Sequence, residues 1–224
     1  TDLEYFPNLS WVDASDNPRL PLDDFGQLPR LKDLRFAANS WSVCQSVSED
    51  WFPRLLVLDL SYNTATSDGI RQLVTMPRLR DLDLTGNGLV ELPDVFADFE
   101  ALEKLFLERN KLQGDALTHL AKCPRLRELS LAHNKITVLP GEICHMTKLK
   151  KLYLDHNQLT KLPHELHKLG HSLTLLEDPE EATSALQSLQ STTTVPVPPD
   201  LGGATLLAPA SSSGRRSVKR KSPA

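Results

Sequence analysis

Histidines and cysteines are the first places to look for chemistry in this chain. The segment HELHKLGH puts His164, His167 and His171 at i, i+3 and i+7 of a short helix. A zinc protease helix needs its second histidine four residues after the first, so that two imidazoles share one face with a glutamate base beside them. Here the second histidine comes one residue early, and the segment reads as a solvated face. His133 and His156 stand one sequence repeat apart and can meet across neighbouring strands, but this reading finds no third ligand for them. Cys44, Cys123 and Cys144 are odd in number and lack CxxC spacing, which argues against a disulfide framework or a zinc ribbon and for small buried thiols. There is no GxSxG, no phosphate-binding glycine loop and no Cys/His pair at catalytic spacing. The expectation is a chain without catalytic, cofactor-binding or metal-ligating residues, and not an enzyme.

The asparagines carry the stronger signal. They fall at Asn17, Asn39, Asn63, Asn87, Asn110, Asn134 and Asn157, at intervals of 22, 24, 24, 23, 24 and 23 residues. Each ends a common phrase: LRDLDLTGN from Leu79, LEKLFLERN from Leu102, LRELSLAHN from Leu126 and LKKLYLDHN from Leu149, with weaker copies from Leu31 and Leu55 and a decayed one from Leu9. Alternating leucines make a short strand with one face buried, and stacking the copies turns seven half-buried strands into one continuous core. An asparagine at a fixed place in each turn can bond the backbone of the next and so build a ladder.

The phrase LxxLxLxxNxL at this period resembles the leucine-rich repeat superfamily over residues 9–162, in particular its intracellular members. FPRLLVLDLSYN and MPRLRDLDLTGNGLVELP resemble the X-ray radiation resistance-associated protein group over about three repeats. The fold class expected is α/β, a leucine-rich repeat solenoid with a curved parallel sheet and a convex side that mixes short helices with extended returns. Returns of the LxxLP kind follow Asn87, Asn134 and Asn157, whereas the stretches after Asn63 and Asn110 have helical apolar spacing. Residues 1–8 read as the end of a preceding repeat, so the chain is expected to be a piece of a longer protein. Residues 9–170 read as seven repeats, and residues 171–190 as a C-terminal cap with a decayed strand at 171–176 and a helix capped by Asp178. Residues 191–224, rich in Pro, Ser and Thr, read as a disordered basic tail.

With leucines pointing inward, the third, fifth, seventh and eighth positions of each repeat are expected on the concave face. Those 28 positions hold nine acids and four bases. Trp11, Asp33, Asp59, Tyr62, Asp81, Asp83, Phe106, Glu108, Glu128, Tyr153 and Asp155 are the candidate contacts of a basic or mixed peptide, since acids steer a cationic partner and aromatics anchor it. A second surface, Arg30/Lys32, Arg54, Arg78/Arg80, Arg125/Arg127 and Lys148/Lys150, lines the edge where strands begin. Without interleaved aromatics or base-reading side chains, nucleic acid is the weaker partner for this stripe.

The net charge of −4 divides into −8 over residues 1–190 and +4 over the tail. No apolar run reaches the roughly 18 residues of a membrane span, and the default compartment is cytoplasmic, with the cytoskeleton or cilium as refinements. The basic SVKRK stretch (Ser217 to Lys221) leaves the nucleus open through an import signal, and it equally suits a tether or a self-inhibitor. The resulting expectation is a noncatalytic protein-interaction scaffold within a larger assembly. The alternative is a regulatory subunit or activator of a GTPase or phosphatase, as leucine-rich repeat proteins of those classes are.

Overall fold

In the computed structural model, described here for residues 5–44, 51–166, 169 and 174–176, residues Thr1–Thr193 make one compact unit. The remaining unit, Thr194–Ala224, lies outside the described residues, as do the helix expected from Asp178 and the histidines His167 and His171.

Eight strands form a single parallel sheet in chain order: β1 (Trp11–Asp13), β2 (Asp33–Arg35), β3 (Val57–Asp59), β4 (Asp81–Asp83), β5 (Lys104–Phe106), β6 (Glu128–Ser130), β7 (Lys151–Tyr153) and β8 (Thr174–Leu176). Each has three residues, the length over which one turn of the chain stays extended. The register never slips: Leu34, Leu58, Leu82, Leu105, Leu129 and Leu152 pair in succession through the sheet. All six are completely buried. They interleave with two further buried columns, Leu31 to Leu149 before the strands and Leu60 to Leu154 after them. Parallel strands cannot be joined by tight hairpins, so the chain returns over the convex side at every repeat. β8 adds one strand to the seven expected of residues 9–162.

The convex returns are mixed, as their sequences differ. After Asn63 a real α-helix forms, α1 (Ser67–Leu73), with Ile70 and Leu73 buried. The Thr66 hydroxyl caps it by accepting the Gly69 N–H at 3.1 Å. After Asn110 the expected helix is broken into two 3-10 turns, Gly114–Leu117 and Leu120–Lys122. Leu117 and Leu120 are buried there, but neither turn has a side-chain cap like that of Thr66, and the segment stays in short 3-10 pieces. After Asn134, Pro140 precedes the 3-10 turn Gly141–His145 at φ −66° and ψ 145°, an extended lead-in and not a first helical residue. Phenylalanines fill wider gaps: Phe96 and Phe99 stand 5.6 Å apart, and Phe25 meets Phe36 edge to face at 5.9 Å.

The repeat asparagines knit the turns. Asn110 donates to the carbonyls of Leu107 and Glu108 in its own turn and of Leu84 in the one before, at 3.0–3.1 Å. Its side-chain oxygen accepts the N–H groups of Asn87 and Leu89. Asn63 does the same for Phe36, Leu60, Ser61, Asn39 and Trp41. Asn17 in the first repeat is exposed, and its amide donates only within its own turn, to Ala14 and Ser15.

That contrast gives a paired expectation. Asn110→Ala should destabilise the unit by about 1–3 kcal/mol, because buried backbone groups lose their partners, whereas Asn17→Ala should cost well under about 1 kcal/mol. Chemical denaturation of both variants measures the difference, and equal costs would count against the ladder as the source of stability.

Candidate functional site

The side chains that project from the sheet are set by backbone geometry at the end of each strand. The residue before every ladder asparagine adopts a left-handed conformation: Asp16, Ala38, Tyr62, Gly86, Arg109, His133 and His156 all have φ between 53° and 69°. Such a bend turns the chain off the sheet at once and throws the eighth side chain outward. Glycine adopts it freely at position 86, and there the missing side chain also has a use. A Cβ on Gly86 would come within 2.7 Å of the Tyr62 ring, which lies across it.

The same bend draws the seventh position under the rim. Ser61, Thr85 and Ala132 are buried, and so is Ser130 in the fifth column, so the free concave face is narrower than the 28 positions expected from the pattern. Of the four aromatics expected on this face, Trp11 and Tyr62 are the more open, at 51% and 57% exposure, while Phe106 and Tyr153 are half-buried. The Arg35 guanidinium lies 5.8 Å above the Trp11 ring, a cation–π contact.

The acids expected on this face separate into two sets. Asp81 is neutralised by Lys104 at 2.7 Å, and Glu128 lies 3.4 Å from Lys151 while accepting the Tyr153 hydroxyl at 3.0 Å. The pairing with Asp81 also holds the Lys104 ammonium above its ordinary value. Asp59, Asp83 and Glu108 have no ion pair among the described residues. Asp59 and Asp83 accept the N–H groups of Ser61 and Thr85, and Glu108 accepts the Ser130 hydroxyl at 2.7 Å. Burial raises the Asp83 carboxyl above its usual range; the bonds from Thr85 oppose this, and the charges of Asp59 and Glu108 add to it. Negative charge is therefore concentrated at the centre of the sheet. Asp33 is half-buried, and its Oδ1 has no hydrogen-bond partner.

The strand-entry edge is basic as expected, and every one of its nine cations is exposed. Lys32, Arg54, Arg78 and Arg80 surround a cleft of about 490 Å³ floored by Leu56, Pro77 and Ala101. Arg127 lies 3.7 Å from Glu103, whereas no acid lines the cleft.

One expectation is corrected. His133 and His156 do have a third ligand beside them: Asp155, the residue before His156. The two imidazoles stack at 4.1 Å, and the ligand atoms of all three side chains lie within 4.8 Å of one another. The spacing of histidines and cysteines does not display this group, because its third member is a carboxylate one residue away on the same turn. The three cysteines are buried thiols outside any disulfide, Cys44 pushed up to about 12 and Cys123 to about 11 chiefly by burial. Neither is a thiolate nucleophile at neutral pH. His164 stands in a 3-10 turn at 164–166.

The family described as leucine rich repeat matches residues 53–112, 100–159 and 124–177, more than half of the chain. This chain belongs to the leucine-rich repeat family. Its repeats make it, in the general sense of that family, a protein-interaction scaffold. It is 38% identical over 128 residues to mouse X-ray radiation resistance-associated protein 1, a match that covers 49% of this chain and 16% of that protein. Among solved structures it is similar to internalin C2 of Listeria monocytogenes, with TM-score 0.60 and 19% identity over 75% of this chain and 70% of that one. A leucine-rich repeat protein of Leptospira interrogans matches with TM-score 0.59 and 25% identity over 76% and 49%. A chain of the Drosophila Toll–Spatzle complex matches with TM-score 0.61 and 25% identity over 76% and 23%. Among the described residues no helix is long and apolar enough to cross a membrane.

The raised Asp83 carboxyl fixes the sign of a pH effect in this leucine-rich repeat unit. Ionised Asp83 weakens the fold, so its penalty is absent in acid and grows as pH rises through the raised folded value. Asp83→Asn keeps the acceptor for Thr85 and should raise Tm by a few degrees at neutral pH, converging on the wild type as pH falls into the acid carboxylate range. Calorimetry across that range checks it; a variant less stable at neutral pH would contradict the buried-charge account.

Proposed function

We propose that this chain is the noncatalytic scaffold segment of a larger cytoplasmic assembly, cytoskeletal or ciliary, that receives a basic peptide segment on its concave sheet. The observation that carries this reading is the unpaired trio Asp59, Asp83 and Glu108, framed by Tyr62, Phe106 and Tyr153. A solitary acidic sheet costs the fold repulsion and desolvation that an arginine or lysine from a partner would relieve. The aromatics beside it, Tyr62 exposed and Phe106 and Tyr153 half-buried, supply contact area at low entropic cost. The basic cleft on the edge offers a second point of attachment for an acidic surface, with Arg54, Arg78 and Arg80 able to bind carboxylates in pairs.

The intended partner is a protein. Nothing on the sheet resembles a base-reading surface, and the edge cations lack stacking aromatics between them. Candidate contacts remain Trp11, Asp33, Asp59, Tyr62, Asp81, Asp83, Phe106, Glu108, Glu128, Tyr153 and Asp155, with Asp59, Asp83 and Glu108 the free charges at their centre.

Crosslinking mass spectrometry on native complexes, reading links from Lys104 and Lys151, identifies what occupies the sheet. In pulldowns of that partner, joint Phe106→Ala and Tyr153→Ala substitution should weaken capture about five- to thirtyfold, the effect of losing one to two contacts of about 1 kcal/mol each. Lys111→Ala, in the loop beyond the sheet, should leave capture unchanged. Undiminished capture without both aromatics would move the interface elsewhere. A change in GTP hydrolysis by a small GTPase, or in phosphatase turnover, on adding the chain would favour a regulator over a scaffold.

A further inference from the structure

We propose that His133, Asp155 and His156 form a surface site for a divalent transition metal of the zinc class. The backbone builds it. His133 and His156 occupy the same left-handed position in consecutive repeats, each with φ 54°, so their side chains leave the sheet in parallel. The His133 N–H is fixed to the Asp155 carbonyl at 2.9 Å, which ties the two turns together beneath the side chains. The rings stack at 4.1 Å with 21° between their planes, and Asp155 brings its carboxylate to the same place.

All three side chains are uncommitted. Neither imidazole nor the carboxylate makes a side-chain hydrogen bond or ion pair among the described residues. Four carboxylates elsewhere on this face are engaged: Asp59 by Ser61, Asp83 by Thr85, Glu108 by Ser130, Glu128 by Tyr153. Two half-buried groups, His133 and Asp155, thus stand beside an exposed His156 with lone pairs to spare.

The donor set is two imidazole nitrogens and one carboxylate oxygen, suited to zinc, cobalt, nickel or copper and poorly suited to calcium or magnesium. Ligands of a tetrahedral zinc ion with bonds of about 2.0–2.1 Å stand about 3.3 Å apart. The groups here lie within 4.8 Å, a gap that rotation of partly exposed side chains closes without moving the backbone. Three protein ligands leave one tetrahedral position open to water or to a histidine or carboxylate of a partner. The neighbour in the same column one repeat earlier is Arg109, which cannot ligate, so the site does not extend toward the N-terminal side.

The test uses zinc chloride and cobalt chloride on the purified chain in a non-chelating buffer near neutral pH. Calorimetric titration should give one zinc per chain with a dissociation constant in the micromolar range. Cobalt should produce the visible absorption of a four- or five-coordinate site, and zinc should raise Tm. His133→Ala, Asp155→Asn and His156→Ala should each weaken binding at least tenfold, and the double histidine variant should abolish it. His145→Ala, on the convex side, should bind as the wild type does. Far-UV circular dichroism verifies folding, and His156→Gln, an exposed and conservative change, serves should an alanine variant unfold. The proposal is overturned by no saturable binding, by binding that survives in the double variant, or by one ion per two chains, which would mean an ion bridging copies.

Discussion

The structure depends on one side-chain amide placed in every turn. A three-residue strand followed by an abrupt left-handed bend leaves backbone N–H and C=O groups buried with no helix or hairpin to satisfy them. The asparagine that follows the bend takes several of these at once, reaching both its own turn and the one before. Leucine burial supplies the driving force, but leucines alone would tolerate a slipped or loosened stack. The amides fix the distance and register at which the leucine columns interlock, and so give the concave columns their alignment.

The fold was legible because this constraint repeats. Seven asparagines at nearly constant spacing, each preceded by alternating leucines, leave few ways to fold, and the strands lie where the leucines alternate. The convex side was less legible. Apolar spacing after Asn63 and after Asn110 looked alike, yet the first forms α1 with a Thr66 cap and the second two 3-10 turns without a side-chain cap. The cap separates them, and a period does not display a cap.

The candidate surface was legible in its columns and misread in its depth. Alternation placed Ser61, Thr85 and Ser130 on the open face, whereas the bend that follows the strand, and the neighbouring turns, cover them. Charge was misread for a related reason. Asp81 and Glu128 counted as free acids until the stacking put Lys104 and Lys151 beside them, one repeat later in the same column. Pairing across repeats depends on side-chain reach, and so does the meeting of Asp155 with His133 and His156.

The asparagine ladder also has a direction. Each side-chain oxygen accepts from amides of the preceding turn, as Asn63 does from Asn39 and Trp41. Removing a turn on the C-terminal side strands those buried amides, which cannot swing toward water. Of the ladder's own bonds, removing a turn on the N-terminal side frees only side-chain N–H groups, which can fall back on their own turn as those of Asn17 do. The stack therefore has unequal ends: shortening it from the front is mild, and shortening it from the back requires a replacement acceptor.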